Sequence, residues 1–208
     1  MNRVAVSGPG GSSVSSEISV RATGPGAHSP HAFVARIASL FEGLDNSRRA
    51  SLAVTLIAVT AVWTAAWMQW WLNDLVVPWD SKNQFYAFFR FLASAMHSGS
   101  TPFWNPYHYA GHPSIADPQS LIFSPPFVIW AWFDAEPTMF AFDFIVYAHL
   151  LVGGLALAIH GHRLGWPAAA SVLAASIFML GGVVSGRMNH VGIITAFGLF
   201  PLALLLLE

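Results

Sequence analysis

Between Leu52 and Leu72 the chain runs for twenty-one residues without one charged side chain. As a helix rising ~1.5 Å per residue, such a run is about 31 Å long, the thickness of a bilayer's hydrocarbon core. Three more apolar runs follow, Pro137–His160, Trp166–Gly186 and Val191–Leu207. Charged residues are 9% of the 208 and hydrophobic ones 55%, whereas a soluble domain carries roughly 25% charged residues. So few charges cannot solvate the surface of a soluble enzyme. A net charge of −1 supplies no basic face, so no nucleic-acid partner is expected. Nine Trp, sixteen Phe and four Tyr argue against disorder throughout, and the lack of Cys removes disulfides, thiolate metal sites and cysteine nucleophiles. The expected fold is all-α, a polytopic transmembrane helix bundle of about four spans.

The runs differ in character. The first ends in Trp67, Trp70 and Trp71, which predicts a belt at the headgroup interface. The second carries Asp143 and His149, costly residues that should face a bundle interior or cavity. Six residues apart on a helix, they fall on different faces, roughly 9 Å apart along the axis. The third is rich in Ala and Gly, which suits close helix packing. The fourth is expected to kink or break near Pro201. The chain stops one residue after Leu-Ala-Leu-Leu-Leu-Leu, which reads as the front piece of a longer protein.

Residues 1–30 are rich in Gly, Ser and Pro and read as a disordered cytoplasmic tail, with no apolar run of signal-peptide kind behind the basic start. Across 31–49, Phe33, Val34, Ile37, Leu40, Phe41 and Leu44 recur at helical steps. They predict an amphipathic approach helix, lying on the membrane or packed on the bundle. Residues 50–208 are then the membrane domain. Five Arg precede the first span, with Arg48 and Arg49 abutting it, so the N-terminus is expected in the cytoplasm. Arg163 falls in an inner turn, as that rule prefers, while Arg187 and His190 are left outside against it.

The sixty-four residues of the first outer loop, 73–136, hold fifteen aromatic side chains and five acids. A loop so long is functional or disordered, and its rings argue against disorder. Gln84–His97 and Ser124–Phe133 read as interfacial helices, with Arg90 snorkelling. The Pro/Gly/aromatic stretch Ser100–Asp117 cannot continue a helix. Rings pressed on a membrane rim can hold a substrate that is half lipid and half polar, or merely anchor the loop. Asp80, just past the first span, is placed for partial desolvation and work as a base, or for capping the Gln84 helix. Asp117, ahead of Pro118, reads as an Asx turn. His108 and His112 have the spacing of a helical metal pair, but Gly111 and Pro113 oppose a helix there.

Asp80 in PWDSKNQF, the stretch GSTPFWNPYHYAGHPSIADPQS from Gly99 to Ser120, FSPP from Phe123 to Pro126 and the Arg163–Gly165 turn together resemble bacterial YfhO-type membrane proteins. Those belong to the GT-C group of polytopic glycosyltransferases. The resemblance implies transfer of a sugar from a polyprenyl-phosphate donor to an acceptor on the outer face of the bacterial cytoplasmic (inner) membrane, with membrane lipid as the other partner. It implies Asp80 as base or as ligand of a divalent metal ion, the one cofactor it brings, and Asp117 as a second catalytic acid. The substrate-binding candidates are Trp104, Asn105, Tyr107, His112 and Gln119 on the matched stretch. Arg187 and His190 join them by topology, placed to balance departing phosphate charge. Two other classes remain open, a transporter or flippase subunit and a non-catalytic assembly or anchoring protein.

Overall fold

The computed structural model describes residues 46–207. The tail 1–30 and the part of the approach helix before Asn46 lie outside them. Helix α1, Asn46–Leu72, begins six residues ahead of the predicted span and takes in Arg48 and Arg49. Its buried positions, Leu52, Thr55, Val59, Trp63 and Trp67, recur every three or four residues and form one stripe. Val54 and Ile57, on other faces, are exposed. A helix apolar on both its packed and its open faces is suited to lipid rather than water.

Of the three Trp of the predicted belt, Trp67 turns inward, while Trp70 and Trp71 stay half-buried. Trp67 is buried and lies flat on the Tyr147 ring, centroids 4.0 Å apart and planes 9° from parallel. One turn earlier, Trp63 Nε1 donates to the Tyr147 carbonyl at 2.9 Å. Two indoles thus join α1 to the bundle interior. Aromatic stacking and a buried donor bond outweigh the interfacial preference.

The outer loop folds as helices on the end of the bundle. A single π-type turn, Ser81–Phe85, leads into α2, Tyr86–His97, and α3 spans Pro125–Phe133. Phe89 and Phe127 meet edge to face at 5.3 Å, and Phe127 meets Phe142 at 5.6 Å. Tyr86 Oη donates to the Pro137 carbonyl and the His97 ring bonds the Ala131 carbonyl. These contacts fix the loop to α2, α3 and the helix that follows.

That helix, α4, is Met139–Arg163, capped by Thr138, whose hydroxyl accepts from the Ala141 N–H. It is the centre of the bundle, packing on α1, α5 and most extensively on α7. Its C-terminal turn ends at Gly165, whose φ of +81° suits glycine, and Pro167 precedes α5. The third run does not form one unbroken helix. α5, Ala168–Leu180, ends where Gly181 is extended, and a single turn, α6, Gly182–Ser185, follows. α7, Val191–Leu207, continues through Pro201 rather than breaking there. Proline removes one helix N–H there, and Pro201 is buried within the helix. Gly153 of α4 faces Gly198 of α7, and Gly198 also lies against the backbone of His149. Small residues bring these two backbones close, as expected for helices packed in lipid.

Candidate functional site

The shape of the loop's middle comes from one short hairpin. Asn105 and His112 pair in an antiparallel bridge, each N–H donating to the other's carbonyl at 2.8 Å. The chain turns between them with Gly111 N–H donating to the His108 carbonyl. Tyr109 and Ala110, the two central residues, have φ of +49° and +60°, the hand of a type I′ turn. Gly111 follows at +119°, and a Cβ there would lie 2.5 Å from the Trp104 ring, so only glycine lets Trp104 lie across the turn. This turn stands where a helix would be needed for helical His108–His112 spacing, and it sets the two rings 5.5 Å apart.

The hairpin presents His112 to Asp117. His112 Nε2 and Asp117 Oδ2 are 3.0 Å apart, both side chains partly shielded. Asp117 Oδ1 accepts the Gln119 N–H at 2.8 Å, so the Asx turn read from the sequence forms, and the second oxygen stays available for the imidazole. Phe88 of α2 backs the His112 ring, planes within 6° of parallel. Gln119 Oε1 accepts from Gln84 Nε2 at 2.7 Å, which ties this cluster to the helical turn that begins after Asp80. Asn105 is buried and its Oδ1 caps the Tyr107 N–H, so Asn105 is a framework residue. Trp104 and Tyr107 are exposed.

A carboxylate holding one imidazole nitrogen fixes the ring's orientation and leaves Nδ1 as the edge that can exchange a proton with a substrate. Among the described residues no group of three or more His, Cys, Asp or Glu is placed to hold a metal ion.

Asp80 departs from the capping reading. Its side chain is exposed on the protein, and its own backbone is already helical, at φ −58° and ψ −35°. A residue inside the helical turn cannot fold its side chain back over the next N–H groups, so no cap bond forms. The bend is made one residue earlier by Trp79, at φ +63°, whose carbonyl accepts the Asn83 N–H.

Arg187 and His190 do not join the His112–Asp117 cluster. Arg187 is exposed, and the His190 ring bonds Asn189 Oδ1 at 2.9 Å. Their segment instead shares a cavity of about 400 Å³ with the turn before Asp80, between Val77–Trp79 on one side and Ser185, Met188 and Asn189 on the other. Trp67 and Trp70 form its floor. The first loop and the α6–α7 connection therefore lie at one end of the bundle.

Gln84 and Phe88 were not singled out as site residues by sequence. Their signal was there, because Asp80, Gln84 and Phe88 recur at four-residue steps and share a helix face.

The described residues are all-helical apart from one isolated bridge pair, and α1, α4 and the α5–α6 stretch are each long and apolar enough to cross a membrane. That is the build of a helical membrane protein. The chain matches no protein-family model, no curated protein and no solved structure.

Proposed function

We propose that the protein is a membrane glycosyltransferase of the GT-C kind, moving a sugar from a polyprenyl-phosphate donor to an acceptor on the extracytoplasmic face of the bacterial cytoplasmic membrane. The observation that carries this reading is the hydrogen-bonded run from Gln84 through Gln119 and Asp117 to His112, which links the Asp80 turn to an acid–base pair. In this reading Asp80 is the base, or holds a divalent metal ion, at the acceptor hydroxyl. The Asp117–His112 pair manages a second proton, and the exposed Trp104 and Tyr107 rings offer stacking faces to sugar. α7 serves as a fourth span. Its seventeen residues reach about 25 Å, a shortfall met by local thinning of the bilayer. α2 and α3 lie in the outer interface, and Arg48 and Arg49 hold the N-terminus in the cytoplasm.

The rival reading, a non-catalytic anchoring protein, draws on the exposed Trp79, Trp132 and Phe133 rings, which would do no more than bind lipid. The test is transfer from radiolabelled polyprenyl-linked sugars by membranes carrying the protein, its Asp80→Asn variant and its His112→Ala variant. Loss of a general base predicts a fall of about 10²-fold or more with insertion unchanged. Full activity of both variants overturns the assignment, and no transfer by the unsubstituted protein favours anchoring.

A further inference from the structure

A second cavity, of about 250 Å³, opens where α1 hands over to the loop and α4 begins. Its walls include Trp70, Trp71, Asp74, Phe140, Asp143 and Tyr147. Asp143 is 4% exposed and Tyr147 fully buried. Asp143 Oδ2 receives one long bond from the Val77 N–H at 3.4 Å, and its Oδ1 has no partner. The Tyr147 hydroxyl has none either. Buried polar atoms are almost always paired, and leaving one unmet costs about 1–3 kcal/mol. Two unmet polar atoms, on residues one turn apart that both line one cavity, point to something that reaches them from it.

The chemistry of the filler follows from the walls. Two of the lining residues are acids, and no Lys or Arg lines the cavity. Asp74 is held at the rim in a left-handed turn, φ +49°. The remaining large walls are ring faces set at steep angles, Trp70 to Tyr147 at 69° and Trp71 to Phe140 at 63°. A carboxylate among aromatic faces is suited to an organic cation. The unmet oxygens can accept from N–H donors, which a primary ammonium has and a trimethylammonium lacks.

We propose that this cavity binds a primary ammonium group, donating to Asp143 Oδ1 and to the Tyr147 oxygen, carried by an aminoethyl lipid headgroup or by a free amine. The site stands apart from the loop cluster and does not depend on sugar transfer.

The test uses the whole protein and its tryptophan emission, with a Trp70→Phe, Trp71→Phe variant to identify the part of the change that comes from the two cavity indoles among the nine Trp. In detergent it is titrated with ethanolamine and with choline. In nanodiscs it is compared between phosphatidylcholine alone and phosphatidylcholine with phosphatidylethanolamine. Saturable change with ethanolamine, or with the ethanolamine lipid, and at least tenfold weaker response to choline, is expected. Response to the lipid but not to free ethanolamine identifies the headgroup as the source; response to both identifies the ammonium itself. Asp143→Asn should weaken binding at least tenfold, as loss of a bond to a charged group does. Tyr147→Phe, which removes one oxygen and keeps the ring, should weaken it about threefold and covers the case in which Asp143→Asn does not fold. No saturable change with either probe, equal binding of choline, or undiminished binding by a folded Asp143→Asn or Tyr147→Phe protein overturns the proposal.

Discussion

Gly192 and Gly198 lie on the same helix, α7, and the same substitution at each should have different outcomes. A Cβ at Gly198 would stand 2.6 Å from the backbone carbon and oxygen of His149, while a Cβ at Gly192 has nothing within 4 Å. To reach an ordinary 3.4 Å contact at Gly198, the two helices must part by about 0.8 Å. The obstacle is backbone, which cannot swing aside as a side chain would. Overpacking of this kind costs about 1–3 kcal/mol. Replacing helical glycine by alanine returns about 0.5–1 kcal/mol of backbone entropy at either site. Gly198→Ala is therefore expected to be less stable than Gly192→Ala by about 1–3 kcal/mol, with a net destabilisation of up to about 2.5 kcal/mol, and Gly192→Ala to be neutral or slightly stabilising. Equilibrium unfolding in mixed micelles, followed by circular dichroism, measures the difference between the two. Equal stabilities would refute the close α4–α7 contact. The backing of His149 by α7 would fall with it.

Two further outcomes test the loop and the orientation. Ala110→Gly should stabilise the hairpin by about 1 kcal/mol, because an L-residue with left-handed φ carries roughly that penalty. Hydrogen exchange of the Asn105 and His112 amides should slow about fivefold, and unchanged exchange would mean that the turn has another hand. The chain has no Cys, so Tyr109→Cys, at an 84% exposed position, introduces a single thiol. An impermeant maleimide is expected to label it in intact spheroplasts, whereas labelling only after lysis would invert the topology.

Much of the fold was legible in the residues because lipid imposes a simple demand. Backbone groups in a bilayer must bond within their own segment, so an uncharged run of the right length reads as a helix. α1 and α4 appear close to where Leu52–Leu72 and Pro137–His160 place them, and the Gln84 and Ser124 segments are helices. The break at Gly181 was not legible, because an Ala/Gly-rich run looks continuous until packing chooses a conformation for each glycine. Asp117 shows both sides of the matter. Its Asx turn is a local bond between residues two apart and follows from Asp-Pro, but its grip on His112 depends on a hairpin closing first.

Scarcity of charge and the length of the apolar runs were enough to determine a helical membrane protein, since both follow from transfer of side chains and backbone out of water. Which way each helix turns its rings was decided only by tertiary packing. Trp67 has the same composition and sequence neighbours whether it faces headgroups or Tyr147; the partner, eighty residues away in the chain, settles it. The same holds for Asp143. Sequence marks it as a costly group in an apolar helix, and only the assembled bundle sets it with Tyr147 in the wall of one aromatic cavity.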